Sequence, residues 1–548
     1  MKGFFKKFTT VFLAGAIAFS AGMLAACKPK NNELEEAKKT KTILDVTMFL
    51  GGLGRDWLDQ TKKEFEEMLK DVSFEEGKKG VYVNISANKS YLDIAEKLEA
   101  GTITGDVFYT AEGNLEEFTR NNTVLNVTDI VTEKVYDEAG NVKLSADKKS
   151  FETNTFSLVE RMQDYHRGAF NTGTQEVPEY FAIPYEDSLV GFVVDWDMVT
   201  DPDELSWTKG TGYKGMPGTY EEFIDLLDTI KLSNASPFTY GSNIGWYSEP
   251  IQRAVIAKVE GTQAYYDLFT DYTGEYAGEK IEPSSAYKLL DTEGYKMAVQ
   301  MGIDLYSADS DGNFYYDSGV ANGVNNTEAQ QDFILSKNMP VPRIAMLLEG
   351  DWWENEARAT FESEGQFNEA DGYGKRNFRL MPIPDMTEHD KNEKYTVSGF
   401  SSGYLTVVNA NVKENPVKEN LVKLWLQYQY SLKPLKTFTI CSGSVLPFRY
   451  EMSDEDLEKL TPFARDIWEL RRSDEIEIVY DSPMKKSSEV RNASISLKFN
   501  TTINKMDYTS VLFYNCQTLL AKNKLTVEDY IAGMHAYYDQ KIKDAFAG

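Results

Sequence analysis

Residues 180–199 read Tyr180-Phe-Ala-Ile-Pro-Tyr-Glu186-Asp187-Ser-Leu-Val-Gly-Phe-Val-Val-Asp-Trp-Asp-Met-Val199, and their reading decides the fold. Phe181 to Val194 is apolar and rich in β-branched residues. It reads as extended chain, interrupted at Pro184 because proline cannot donate to a strand ladder. Two carboxylates, Glu186 and Asp187, sit in the middle of this run.

Outward from this stretch, short β-rich runs alternate with amphipathic helices, the pattern of an α/β protein. Ile43 to Phe49 reads as a strand, broken by Gly51-Gly52-Leu53-Gly54. Trp57 to Lys70 reads as a helix with Leu58, Phe65, Met68 and Leu69 toward one face. Val81, Val83 and Ile85 alternate with polar residues as a second strand. Tyr91 to Ala100 reads as a helix stopped at Gly101, and Asp106 to Tyr109 as a short strand. Thr219-Tyr-Glu-Glu222 has the spacing of a capping box, and the helix behind it buries Phe223, Leu226, Leu227 and Ile230. Val417, Leu421, Leu424, Trp425 and Tyr428 make a further apolar stripe. Residues 261–330 are rich in Tyr, Asp and Gly and show no clear period.

The N-terminus carries an address. Lys2, Lys6 and Lys7 precede an apolar run from Phe8 to Ala26, closed by Leu24-Ala25-Ala26-Cys27. A basic head, an apolar middle and small residues at the end form a secretory signal. The run is also close to the roughly 20 residues of a membrane-spanning anchor, the alternative reading. The polar stretch that follows, to residue 41, has nothing to bury and reads as a flexible tether. No later stretch is apolar for long enough to span a membrane.

The rest of the chain is too long for one core, so two large lobes are expected. Residues 1–26 carry three Lys and no acid, so their removal moves the formal charge from −28 to −31. Such an excess disfavours nucleic acid and anionic headgroups as partners. The 32 Tyr and 8 Trp suit a wet, aromatic-lined cleft. Cys441 and Cys516 could pair after export, but two cysteines do not make a disulfide scaffold. His166, His389 and His535 lie far apart without metal-ligand spacing. Asp309-Ser-Asp311-Gly-Asn313 fails the EF-hand pattern, and Gly51 to Gly54 lacks phosphate-loop spacing. No metal and no cofactor are expected.

Several segments resemble the extracellular solute-binding proteins that feed ABC importers, in the branch related to maltose-binding protein. Leu24-Ala-Ala-Cys27 resembles the bacterial lipobox. Lys97 to Tyr109 resembles the family's helix, Gly turn and Asp-Val strand, with Gly105 where Pro is usual. Asn122 to Ile130 resembles the next segment. Residues 180–199 resemble the crossover strand, with Val193-Val194-Asp195 replacing an aromatic and an Asn. Ala345-Met-Leu-Leu-Glu-Gly-Asp-Trp-Trp353 resembles the Gly-x-Trp strand. Arg379 to Pro384, Ser398 to Gly403 and Gly443 to Pro447 follow in the family's order.

The resemblance implies a periplasmic-binding-protein-like α/β fold, two α/β lobes joined by a multi-strand hinge with a ligand cleft between them. Residues 1–26 would be the signal and 27–41 the tether. Residues 42–187 plus 384–433 would form one lobe, and 188–383 plus 434–548 the other. Lipidation of Cys27 would hold the protein at the outer face of the cell membrane, or in the periplasm. The implied job is capture of a carbohydrate, of oligosaccharide size, and delivery to a membrane permease. The protein would act as a monomer and without catalysis.

The ligand positions carried over are Tyr109 and Glu112 after the Asp-Val strand, Glu186 and Asp187 at the crossover, and Trp246 and Tyr247 in an aromatic segment. Trp352 or Trp353 and the glycine-flanked Ser401 and Ser402 complete them. Aromatic faces would stack on sugar C–H faces, while carboxylates and hydroxyls would bond sugar hydroxyls. Two other classes stay open: a binder of a peptide or cationic molecule, which the acidity suits, and a surface glycosidase, which needs only two flanking carboxylates.

Overall fold

The computed structural model describes residues 31–90, 92–111, 115–243, 249–307, 315–317, 319–320, 323–363, 371–400, 404–480 and 526–535. Its strands form two main sheets. The first contains β1 (Thr42–Phe49), β2 (Val81–Asn88), β3 (Val107–Thr110) and β4 (Ile183–Pro184). The second contains β5 (Ser188–Asp195) and β6 (Ser236–Thr239). A small hairpin, β7 (Glu275–Tyr276) and β8 (Glu279–Lys280), stands apart. The second sheet continues with β9 (Ile344–Gly350), β10 (Phe378–Met381) and β11 (Tyr395–Phe400). β12 (Leu405–Val408) returns to the first sheet, and β13 (Ile476–Tyr480) ends the second.

The first sheet runs β2-β1-β3-β12-β4. Its β1, β2 and β3 are parallel, which requires helical crossovers, and the helix Asp56–Met68 supplies the first. That helix exists because Trp57, Leu58, Thr61 and Phe65 recur at helical spacing and are all buried. The second sheet runs β13-β11-β5-β9-β6, with β10 paired to the far half of β5. β5 is buried at every residue, as its apolar sequence requires for a strand covered on both faces. Thr219 caps the helix Tyr220–Leu232 by accepting from the Glu222 N–H, while the Glu222 carboxylate takes the Gly218 N–H at 2.7 Å.

The chain passes from β4 to β5 through Tyr185, Glu186 and Asp187, where the sequence places the first crossing. The other two crossings differ from expectation. Residues 395–400, expected with the first lobe, pair with β5 and β13 in the second sheet. The return therefore comes between Phe400 and Leu405 rather than near 384. The helix Leu432–Ser442, expected in the second lobe, packs on the first-sheet helix Asp56–Met68, with Phe438 edge-on to Trp57 at 5.1 Å. The third crossing therefore follows Ser442 rather than coming near 433, before the helix Pro462–Leu470 packs on β10. In both places a buried ladder or ring contact decides, and local motif order does not report it.

The expected tether is partly helical. Asn31–Thr40 is an α-helix with Ala37 buried and ion pairs Lys38–Glu35 and Lys39–Glu36 at 2.7 and 2.6 Å. Glu, Leu, Ala and Lys are strong helix formers, so this polar stretch needs little burial to coil. Residues 261–307 form the short helical pieces Thr262–Tyr265, Tyr266–Thr270 and Pro283–Asp291, the hairpin, and the helix Glu293–Tyr306.

Candidate functional site

The ends of β1, β4, β9 and β11 meet at a seam between the two sheets, the place where open α/β sheets gather ligands. Beyond Gly350 the chain turns through Asp351 and Trp352 into the short helix Trp353–Glu356. The Trp352 indole is 8% exposed and lies against Gly52, in the turn after β1. A Cβ on Gly52 would stand only 2.4 Å from Trp352 Cδ1. Asn355 Nδ2 donates to the Gly52 carbonyl at 2.8 Å, and Arg358 meets Asp56 at 3.3 Å. The glycine turn of the first sheet thus rests directly on the Trp352–Arg358 segment of the second.

Aromatic rings continue along the seam. Trp352 and Phe400 have centroids 6.4 Å apart, Phe400 and Tyr404 6.5 Å, and Tyr404 and Phe49 6.1 Å. Phe49, Phe400 and Tyr404 are half-buried. Tyr185 packs edge-on between Tyr404 and Tyr109 at 5.4 and 5.3 Å. Flat apolar faces with polar edges of this kind suit a ligand that is partly C–H surface and partly hydroxyl.

Behind the rings lies a buried polar network at the crossings. Arg471 Nη1 donates to Asp187 Oδ2 at 2.8 Å, and its Nη2 stands 3.8 Å from Asp351 Oδ2. Ser444 Oγ donates to Asp351 Oδ1 at 3.2 Å, Ser188 Oγ donates to Glu186 at 2.9 Å, and the two hydroxyls lie 3.3 Å apart. Burial pushes the Asp351 carboxyl up to about 7, against the opposing pull of Arg471. His166 Nε2 lies 3.8 Å from Asp187 Oδ1, and its ring packs edge-on to Tyr165 and Tyr480. Burial lowers its pKa to about 4, so it is neutral at pH 7. This network joins the β4–β5 crossing, the end of β9, the third crossing and the end of the helix Pro462–Leu470.

Of the residues the sequence singles out, Trp352 stands at the seam. Glu186 and Asp187 belong to the buried hinge network behind it. Tyr109 corrects the expectation of a ligand contact: it is fully buried, accepts from Trp425 Nε1 at 3.1 Å and packs edge-on to Trp57. Desolvation raises its pKa. Trp353 is core as well, enclosed by Phe378, Phe333 and Phe463 at 5.0, 5.5 and 5.9 Å. Adjacent residues point apart as the chain leaves β9, so only one of the two indoles can reach the seam. Glu112, Trp246, Tyr247, Ser401, Ser402 and the lipidation candidate Cys27 lie outside the described residues, as does Cys516. Cys441 accepts from Gln60 Nε2 at 3.2 Å.

Phe49, Phe400, Tyr404, Asn355 and Arg471 are seam or hinge residues that the sequence reading passes over. Phe49 and Phe400 carry a usable signal, since each is an aromatic closing a strand. Among the described residues no cluster of three His, Cys, Asp or Glu is placed to hold a metal ion. No described helix is long and apolar enough to cross a membrane.

No protein-family model and no curated protein sequence matches the chain. Solved structures do. A chitin oligosaccharide binding protein superposes with a TM-score of 0.56 at 14% identity, covering 93% of this chain and 100% of its own. This is a solute-binding-protein fold. A probable secreted solute-binding lipoprotein from Streptomyces coelicolor gives a TM-score of 0.54 at 12% identity, over 92% of this chain and 98% of its own. The solute-binding protein RafE, solved in complex with raffinose, gives 0.50 at 12%, over 91% and 100%. The two lobes of the solute-binding fold correspond here to the two sheets, and the seam lies between them.

Proposed function

We propose that this chain is an exported, lipid-anchored solute-binding protein that captures a carbohydrate between its lobes and delivers it to an ABC importer permease. The observation that carries the reading is the seam itself. Half-buried rings from both sheets, with Trp352 laid across the Gly52 turn, meet at strand ends in a fold shared with proteins that bind chitin oligosaccharide and raffinose.

In this reading the lobes are residues 42–187 with 404–442, and 188–400 with 462–480. Ligand enters on one lobe, and contacts from the other favour the closed form. Trp352, Phe400, Tyr404 and Phe49 supply the apolar faces, and Asn355 a polar contact at the rim. The Arg471–Asp187 network holds the crossings while the lobes turn about them. No bond is made or broken. Cys27, once lipidated, keeps the protein at the membrane face where the permease works.

A thermal-shift panel of saccharides, peptides and polyamines tests the ligand class, because binding the native state raises Tm. A positive response confined to saccharides is expected, and one confined to peptides or polyamines would displace the reading. Trp352→Ala should weaken the best saccharide by about tenfold or more by calorimetry, the loss of one anchoring aromatic. Its Tm should fall as well, because the indole is only 8% exposed and packs on Gly350 of its own strand as well as on Gly52, so the affinity is read well below that Tm. Unchanged affinity would remove Trp352 from the site.

A further inference from the structure

The helix Asn31–Thr40 is pinned to the first lobe along its length. Near its start the Tyr82 hydroxyl donates to the Glu33 carboxylate, and the Lys62 ammonium lies 4.1 Å from the centre of the same ring. In its middle Ala37 is buried. At its end the Thr40 carbonyl accepts from the Lys79 N–H at 2.8 Å, and the Thr42 N–H donates to the Gly80 carbonyl at 3.0 Å as β1 begins.

Only Lys28, Pro29 and Lys30 separate this helix from Cys27. The four residue steps from Cys27 to Asn31 reach about 14 Å at full extension. Were the helix free of the lobe and extended, the chain from Cys27 to Thr42 would reach about 50 Å. Docking therefore makes the tether short.

The helix also starts at a defined place. Tyr82 is the second residue of β2 and pairs with Ile43, the second of β1. Six residues further along, Asn88 stands beside Phe49 at the seam, roughly 20 Å away. The start of the helix thus belongs to the end of the first sheet that points away from the seam. The charge there differs from the rest of the chain. Residues 28–41 carry five Lys against three Glu, and residues 70–80 three Lys against three acids, in a protein of formal charge −28. The overall acidity disfavours anionic headgroups, and this end of the lobe is neutral to basic.

We propose that this end of the first lobe, formed by the helix Asn31–Thr40 and the loop before β2, is a membrane-facing surface. The docked helix holds it against the headgroups of an anionic bilayer. The inference rests on the lipid-anchored reading above. The first lobe is then the fixed one, and the second swings against it.

Lys79 and Lys89 are exposed and bracket β2, about 30 Å apart along the strand. A fluorophore is placed on Lys79→Cys or Lys89→Cys, each in a Cys441→Ser, Cys516→Ser chain that keeps Cys27. The lipidated proteins are reconstituted on vesicles of phosphatidylcholine and phosphatidylglycerol with an acceptor dye on the outer headgroups. Energy transfer should be about twofold or more greater from position 79 than from position 89. A flexible Gly-Ser insert of about 15 residues between Lys30 and Asn31 leaves the fold untouched and should erase that difference. Ala37→Asp, which undocks the helix, should do the same. Equal transfer from the two positions, or a difference that survives the insert, would overturn the proposal while the anchor stands. A chain that carries no lipid and does not bind vesicles would instead overturn the anchored reading, and the proposal with it.

Discussion

Buried ionisable side chains give this protein an unusual dependence on pH. Burial pushes Asp351 and Glu354 up to about 7 and Asp332 to about 6. In the unfolded chain such groups titrate near ~4. Between those values the folded state holds protons that the unfolded state has released, so stability is greatest at the acid end and falls as pH rises toward 7. His166 works the other way. Its pKa is lowered to about 4, so its contribution is lost as pH falls from about 6.5. Three carboxylates outweigh one imidazole, and the protein should melt higher at about pH 5.5 than at about pH 8, by a few kcal/mol in order of magnitude. Glu354→Gln keeps the oxygen that accepts from Thr461 and should flatten the slope. A Tm that rises steadily with pH would show these carboxylates to be ionised in the fold. None of this is legible in the sequence, where Asp351 and Glu354 are two acids among 86 Asp and Glu. The sequence reading favours Trp352 over Trp353 for the ligand, but it does not supply the physical ground. That choice is made by which indole meets Gly52 and which meets Phe378.

At the scale of the element, the turn Gly51 to Gly54 reads correctly as a break after β1, and its glycines have a purpose the sequence does not disclose. Gly54 has φ +65°, the left-handed region that favours glycine. Gly52 has an ordinary backbone, and its constraint is the Trp352 indole. Gly52→Ala should therefore fold normally yet hold the lobes apart, because the new methyl falls inside the indole. Its Tm should match the parent's, while saccharide affinity drops by about tenfold or more, as for other overpacked contacts. Affinity equal to the parent's would mean that closure does not bring these two groups together. Strands and amphipathic helices up to β5 were legible because their burial is periodic. The placement of β11 and of the helix Leu432–Ser442 was not, because long-range pairing with β5 and packing on Trp57 decide it. The helix at Asn31–Thr40 was missed for the opposite reason. Its stability comes from propensity and exposed ion pairs, with only Ala37 fully buried.

Across the whole molecule the contacts between lobes are unevenly distributed. At the crossings the halves share continuous chain and the buried Arg471–Asp187 pair. At the seam they share the Trp352–Gly52 contact, one amide-to-carbonyl bond and the Asp56–Arg358 pair. The bond is worth about 1 kcal/mol net. The ion pair, with side chains 69% and 34% exposed, is worth roughly 0–1 kcal/mol. On the His166 side the halves also share the Tyr165–Tyr480 stack at 4.3 Å and the His166–Tyr480 contact, so the rim at Gly52 is the weaker of the two inter-lobe contacts and the one a ligand would complete. Small-angle scattering of the free protein should thus give a radius of gyration larger than that calculated from this structure. Adding the saccharide with the largest thermal shift should bring it down to the calculated value. The Gly52→Ala protein should stay expanded in both conditions. A free protein already as compact as the structure, and unchanged on binding, would mean that the lobes do not move and that ligand enters a preformed seam.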